Sequence, residues 1–268
     1  MVYSFIRKGG YAMFEKIDEL LAQLRALPPL SVAAEERLME EFMVRYTYNS
    51  NAIEGSTLTE RETALVLKDD MTIEGKPLKY HLDAIGHRDA FALVCREAEA
   101  GTELTEELIK RIHSHVLLRD EEERGHCRTV NVYISGSDVV LPSAQFVPDK
   151  MAALMARYNG EMQDWHPIRR AAVFHLAFES VHPFIDGNGR TGRLILNFEL
   201  MKAGYPPIDV KFTDKGRYYY CLQSYQGQDE TKLPMLYMLE TYMEQTLREQ
   251  IETLTQARDL KRRNKDER

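Results

Sequence analysis

Along most of this 268-residue chain the apolar residues recur at helical rather than strand spacing. Ile17, Leu20, Leu21 and Leu24 form one stripe between Phe14 and Leu27, and Pro28-Pro29 ends it. A second helix is predicted from about Ala33 to Ile53, closed by Gly55 as a C-cap glycine. Thr59-Glu60-Arg61-Glu62 reads as a capping box that opens a third, reaching about Leu67. After a polar connection from Asp69 to Lys79, the stretch His81 to Ala98 is helical again, with Ile85, Ala92, Leu93 and Cys95 as candidate core residues. Thr105 caps a helix from Glu106 to about Leu118. Two more, Pro148 to Asn159 and Pro167 to Val181, lead to a segment apolar almost all round: Leu194, Ile195, Leu196, Phe198, Leu200 and Met201. That pattern predicts the most buried helix of the core. A final helix, about Leu233 to Leu260, carries Leu236, Leu239, Met243, Leu247, Ile251 and Leu254 near one stripe, ahead of a charged tail, Lys261 to Arg268, expected to be solvated. The residues up to Ala12 lack periodicity and read as a loose arm.

One segment changes period. Val130, Val132 and Ile134 alternate with Asn131 and Tyr133, which predicts a short strand; Ser135 to Asp138 can turn, and Val139-Val140-Leu141 can return. The expected architecture is therefore all-α with one small β-hairpin. Apolar residues at 44% and charged residues at 29% fit a soluble globular protein, and a net charge of −7 argues against nucleic acid as a partner. Cys95, Cys127 and Cys221 are scattered and odd in number, so neither a disulfide framework nor a zinc site is indicated. No apolar run reaches the length of a membrane span, no charged-then-apolar leader opens the chain, and no internal repeat is found. A reducing cytoplasm is the expected compartment, with no membrane partner.

The chemistry concentrates in Val181-His182-Pro183-Phe184-Ile185-Asp186-Gly187-Asn188-Gly189-Arg190-Thr191-Gly192-Arg193. Pro183 disfavours helix at His182, so the preceding helix should stop there and expose the imidazole. Gly187 and Gly189 flank Asn188 and allow a tight turn whose N–H groups face an anion. The following helix N-terminus adds a field that favours phosphate. Arg190 and Arg193, three apart, share a face of that first turn and oppose the dipole unless an anion joins them. Asp186 is placed to hold a magnesium that bridges phosphates.

From His182 to Arg193 the chain resembles the Fic family, whose motif runs HPF, any residue, Asp or Glu, Gly-Asn-Gly-Arg, two residues, Arg. The resemblance, roughly Thr47 to Asp229, implies an all-α Fic-type helical core with a small β-hairpin flap. It divides the chain into residues 1–100, a helical region with an inhibitory helix at about 35–55; residues 101–230, the core, with the flap at about 128–148 and the active loop at 182–193; and residues 231–268, the C-terminal helix and tail. It implies AMP transfer from ATP, with Mg2+, to a Tyr, Thr or Ser hydroxyl of a protein, releasing pyrophosphate. His182 would be the general base and Asp186 the metal ligand, while Gly187, Asn188, Gly189, Arg190 and Arg193 would hold phosphates. Tyr218 and Tyr219, with Gln226 seven residues on, match the family's nucleoside-lining segment, although Gln226 stands where Asn is expected. Val132, Tyr133 and Ile134 would form the flap that docks the target by strand addition.

Ser50 to Gly55 fits the family's inhibitory Ser/Thr-x-x-x-Glu-Gly/Asn motif. There Glu54 would pair with Arg193 and block the ATP γ-phosphate. Gly189 stands where the Doc-like kinase branch typically has Lys, and glycine leaves room for the β- and γ-phosphates. Two other readings follow from the same site: a hydrolase that removes AMP from a modified protein, and a non-catalytic nucleotide-sensing module. The target, the nucleotide's identity, self-modification, homo-oligomerisation and what relieves inhibition stay open. His87, His113 and His115 lack metal-ligand context and read as structural or surface residues; His175 reads as a hydrogen-bonded core histidine.

Overall fold

The computed structural model describes residues 14–133, 139–225, 230 and 232–266. Among the described residues it has ten α-helices: α1 Glu15–Arg25, α2 Val32–Ile53, α3 Glu60–Lys68, α4 Leu78–Glu99, α5 Glu106–Val116, α6 Val147–Asn159, α7 Pro167–Val181, α8 Asn188–Lys202, α9 Lys215–Gln223 and α10 Pro234–Asp266. Short 3-10 turns at Ala144–Phe146 and Phe212–Asp214 lead into α6 and α9.

The stops and starts follow local chemistry. The Thr59 side chain accepts from Glu62 N at 3.1 Å while Glu62 Oε2 accepts from Thr59 N at 2.7 Å, which completes the capping box of α3. At the end of α2, Gly55 has φ +95°, Gly55 N reaches Ala52 O and Ser56 N reaches Asn51 O, so the helix closes in a Schellman motif. That closure fixes where Glu54, the last capping residue, emerges.

Helix α8 is the hub, packed against α2, α4, α5 and α7. Leu194, Ile195, Leu196, Phe198 and Leu200 on it are buried, as are the polar Asn197 and Glu199. Those polar groups are satisfied internally. Asn197 spans Ile208 N and O at 2.9 Å each, and Glu199 accepts from Tyr158 and from Arg170. One apolar core runs from Phe14 on the approach to α1 to Leu247 on α10, so the N-terminal region, the central helices and the C-terminal helix share it. A smaller cluster, Val44, Leu58, Val66, Leu67 and Ala84, joins α2, α3 and α4. No described helix is long and apolar enough to cross a membrane.

Three expectations need correction. No strand forms over 130–133 or 139–143; the expected turn and Ile134 lie outside the described residues. Two short strands alone are marginal in water, and here side chains take the backbone groups instead. Arg128 donates to Val130 O (3.1 Å) and Pro142 O (2.6 Å), and Asn131 Oδ1 accepts from Ala144 N (2.8 Å). Second, α10 continues to Asp266, past its expected end at about Leu260. Third, Ile85, Ala92 and Cys95 are only half-buried, because α4 turns Ala84, Ala90, Phe91, Leu93 and Val94 inward.

Candidate active site

The loop from His182 to Gly187 joins α7 to α8, and its shape is set before any ligand arrives. His182 ends α7 in the left-handed region (φ 50°, ψ 61°), a costly conformation for a residue with a Cβ. Arg128, 2% exposed, holds it there. Its Nε donates to His182 O (2.8 Å) and its main-chain N donates to Pro183 O (2.8 Å), while its remaining nitrogens take the Val130 and Pro142 carbonyls. Next, Asn188 folds its side chain back: Oδ1 accepts from Phe184 N (2.9 Å) and Nδ2 donates to Phe184 O (2.8 Å). Both amide groups of Asn188 are thereby engaged within the loop. The first-turn N–H groups of α8 have no intrahelical acceptor, the arrangement by which helix starts can bind anions.

His113 braces the loop from beneath. Gly125 N donates to its Nδ1 (2.9 Å), so the ring proton sits on Nε2 and is donated to Asp186 O (2.9 Å); the ring stacks on Phe184 at 3.6 Å. Burial lowers its pKa to about 4, against the pull of the Asp186 carbonyl, so it is neutral at neutral pH. Burial likewise lowers His182 to about 4, opposed by the Glu179 main-chain acceptor and reinforced by Arg128. A neutral imidazole can accept a proton.

Behind His182 lie two buried titratable side chains, Glu179 and His175. Glu179 is buried, with Oε2 3.8 Å from His182 Nδ1 and Oε1 without a hydrogen-bond partner. Burial first, then the Glu54 charge, pushes Glu179 up to about 8 against Arg193. His175 bonds the Tyr218 hydroxyl at 2.8 Å, and burial with Arg193 lowers it to about 3.

The two motif arginines are held differently. Arg193, 2% exposed, donates from Nε to Ser50 Oγ (3.0 Å), from NH2 to Ser50 O (2.8 Å) and to Glu54 Oε1 (2.8 Å), and from NH1 to Tyr218 OH (3.3 Å). Arg190 pairs with Asp83 (2.8 Å) and reaches Asp186 (3.5 Å). Arg119 pairs with both of those carboxylates, through Nε to Asp83 (3.2 Å) and through NH2 to Asp186. Burial opposes ionisation of Asp186, but Arg190, the Gly187 N–H and Arg119 outweigh it and hold its pKa below the usual range.

Gly189 explains the fit of Glu54. A Cβ there would lie 2.2 Å from Glu54 Oε1 and 3.1 Å from Arg193 NH1, so the carboxylate occupies the space glycine leaves open over the first turn of α8. Tyr219 closes the same contact, its hydroxyl donating to Ile53 O (3.2 Å). Tyr218 is fully buried beside Arg193. Of the other expected residues, Gln226 lies outside the described residues, Tyr133 is exposed and Val132 is half-buried. Sequence reasoning missed Asp83, Arg119, Arg128 and Glu179, and no motif spacing marks them. Only Glu179 had a local sign, a carboxylate three residues before His182 in an apolar helix.

Comparison with known proteins gives a consistent picture. Residues 103–200 match the model of the Fic/DOC family. The chain is 33% identical over 225 residues to a protein adenylyltransferase Fic of Nematostella vectensis, covering 80% of this chain and 50% of that protein. It is 36% identical over 213 residues to a protein of the same name from Drosophila grimshawi, covering 77% and 43%. The chain thus spans about half the length of the curated relatives it matches. Among solved structures, a Fic domain containing signaling protein from Bacteroides thetaiotaomicron aligns with TM-score 0.81 and 27% identity over 90% of this chain and 97% of the other. Fic-1 from C. elegans aligns with TM-score 0.78 and 29% identity over 93% and 72%.

Proposed function

The chain belongs to the Fic/DOC family, and from that membership we propose that it is a protein adenylyltransferase held in check by its own Glu54. The observation that carries this reading is the position of the Glu54 carboxylate. It lies 2.8 Å from Arg193, in the space above Gly189 where the terminal phosphates of a nucleotide would meet the helix N-terminus. An anion of this chain and an anion of the substrate would compete for one place.

In the transfer, an Oγ or phenolic oxygen of the target attacks the α-phosphorus of ATP. The bond from that phosphorus to the bridging oxygen breaks, pyrophosphate leaves, and the hydroxyl proton passes to Nε2 of His182. Neutral His182 accepts it, and Arg128 holds the main-chain carbonyl of the residue that carries the ring. The α8 N-terminus, Arg190 and, once released, Arg193 face the charge that grows on the leaving group. Asp186 fits a magnesium: it is ionised, its side chain is half exposed, and it adjoins the anion site. Among the described residues no group of three or more His, Cys, Asp or Glu gathers there, so phosphates and water would complete the shell, as Mg2+ prefers. Bound there, the metal would neutralise phosphate charge. The target segment would dock along 130–133, where no backbone ladder forms, by adding a strand.

ATP labelled on the α-phosphate, given to wild type, Glu54→Gly and Glu54→Gly/His182→Ala, tests the reading. Label on protein should be strong in the second, weak in the first and absent in the third. Glu54 is one-third exposed, which also fits a carboxylate that positions water to remove AMP from a modified protein. In that case Glu54→Gly would abolish removal and leave transfer unraised.

A further inference from the structure

Both oxygens of Asp186 face arginines: Oδ2 is paired with Arg119, and Oδ1 lies 3.5 Å from Arg190. Asp83 completes the set, binding Arg190 at 2.8 Å and Arg119 at 3.2 Å. Two carboxylates and two guanidiniums from three separate segments form a closed, neutral ring. Arg119 is the more exposed of its two guanidiniums. It lies beyond the end of α5, about a third exposed, whereas the Arg190 side chain is 3% exposed and locked at the base of α8. Arg119 also keeps Asp83 as a second partner, so it can leave Asp186 without being stranded.

We propose that Arg119 is the resident cation of Asp186, and that it makes divalent-metal uptake conditional on a polyphosphate arriving with the metal. The inference rests on the reading of Asp186 as the metal's ligand. A bare divalent ion entering the ring must displace one guanidinium and lie beside another, at close range in a partly dry site where like charges repel strongly. A metal–triphosphate complex carries net negative charge, so the same two arginines then attract it. Metal alone should bind weakly and metal with nucleotide tightly. The coupling between them is set by Arg119 and not by the brake at Arg193.

The test uses Mn2+ as the probe, with the free ion counted by electron paramagnetic resonance, and the full chain. Without nucleotide, Arg119→Gln should bind Mn2+ about tenfold more tightly than wild type, a coupling of ordinary size. With α,β-methylene ATP present the two proteins should differ by no more than about twofold, since the polyphosphate removes the competition. Adding Asp186→Asn should erase the gain. Equal or weaker nucleotide-free binding by Arg119→Gln overturns the proposal. If Asp186→Asn binds Mn2+ with the nucleotide analogue as wild type does, Asp186 is not the ligand, and the metal assignment falls with it.

Discussion

Arg190 and Arg193 stand three residues apart on the first turn of α8, yet they are neutralised in opposite ways. The Arg190 end is a ring of side-chain ions, two of them substantially exposed: the Asp186 side chain is 50% exposed and that of Arg119 is 32% exposed. Such pairs are screened, exchangeable and individually weak. The Arg193 end is the drier one: Arg193, Ser50 and Tyr218 are buried, and of its partners only Glu54, 34% exposed, reaches solvent. A buried charge deprived of a partner is costly, so Glu54 leaves Arg193 only as another anion takes its place. The contrast assigns two tasks: entry of small ions at the wet end, and control by a helix end at the dry one.

The largest effect should come from cutting the dry end. A closed state favoured by about 2.7 kcal/mol would hold activity near one per cent, so Glu54→Gly should raise AMP incorporation about 100-fold. Asp83→Asn, which takes a buried partner from Arg190 but leaves the Glu54–Arg193 contact in place, should not raise AMP incorporation. Measured side by side with labelled ATP, equal gains would break the comparison. Both ends would then be brakes.

Next in size is the pH response of the buried groups behind His182. Glu179 is raised to about 8, well above its unfolded value near 4.5. Its contribution to stability is therefore fully present below the unfolded pKa and is lost as pH rises through the folded one. A single group changes stability by at most about 1.4 kcal/mol per pH unit, so roughly 2 kcal/mol should vanish between pH 6 and 8. Glu179→Gln, which cannot ionise, should flatten that decline in thermal unfolding. The buried histidines act in the other direction. His113 and His182 near 4 and His175 near 3 lie below their unfolded values, so they remove stability as pH falls below about 6.5. Parallel melting profiles for wild type and Glu179→Gln from pH 6 to 8 would mean that Glu179 is solvated and the contrast with the Arg190 end overstated.

The two ends also differ in how far the sequence reveals them. Helix starts and stops were legible because they are local: the Thr59–Glu62 box, the Gly55 closure and the turn after Val181 each depend on residues within a few positions. The loop's candidate residues were legible as a motif, and Glu54 was legible through the family's inhibitory motif from Ser50 to Gly55. The Arg190 ring was not legible. Asp83, Arg119 and Asp186 come from segments separated by tens of residues, and nothing local distinguishes Asp83 or Arg119 from a solvated charge. Arg128 escaped for the same reason, since its partners are carbonyls and carbonyls leave no mark in a sequence. The alternation at 130–134 misled because period two reports exposure on two sides, not whether a partner ladder exists.

The smallest expected effect is the most discriminating at the dry end. Ser50 contributes two bonds to Arg193, one from its hydroxyl at 3.0 Å and one from its carbonyl at 2.8 Å. Ser50→Ala removes only the first, leaving Glu54 and the helix turn in place. Loss of one hydrogen bond to a buried charge costs on the order of 1.5 kcal/mol, part of it falling on global stability and part on the closed arrangement. If about 1 kcal/mol falls on the closed arrangement, AMP incorporation should rise roughly fivefold, far short of Glu54→Gly. The same labelled-ATP assay and a melting curve read both quantities. A rise as large as that of Glu54→Gly would make the hydroxyl, not the carboxylate, the restraint. A lower melting temperature with no rise at all would mean that Ser50 anchors α2 to the core without bearing on how readily Arg193 is freed. The dry end would then be a lock with one working part, Glu54, rather than a helix turn acting as a unit.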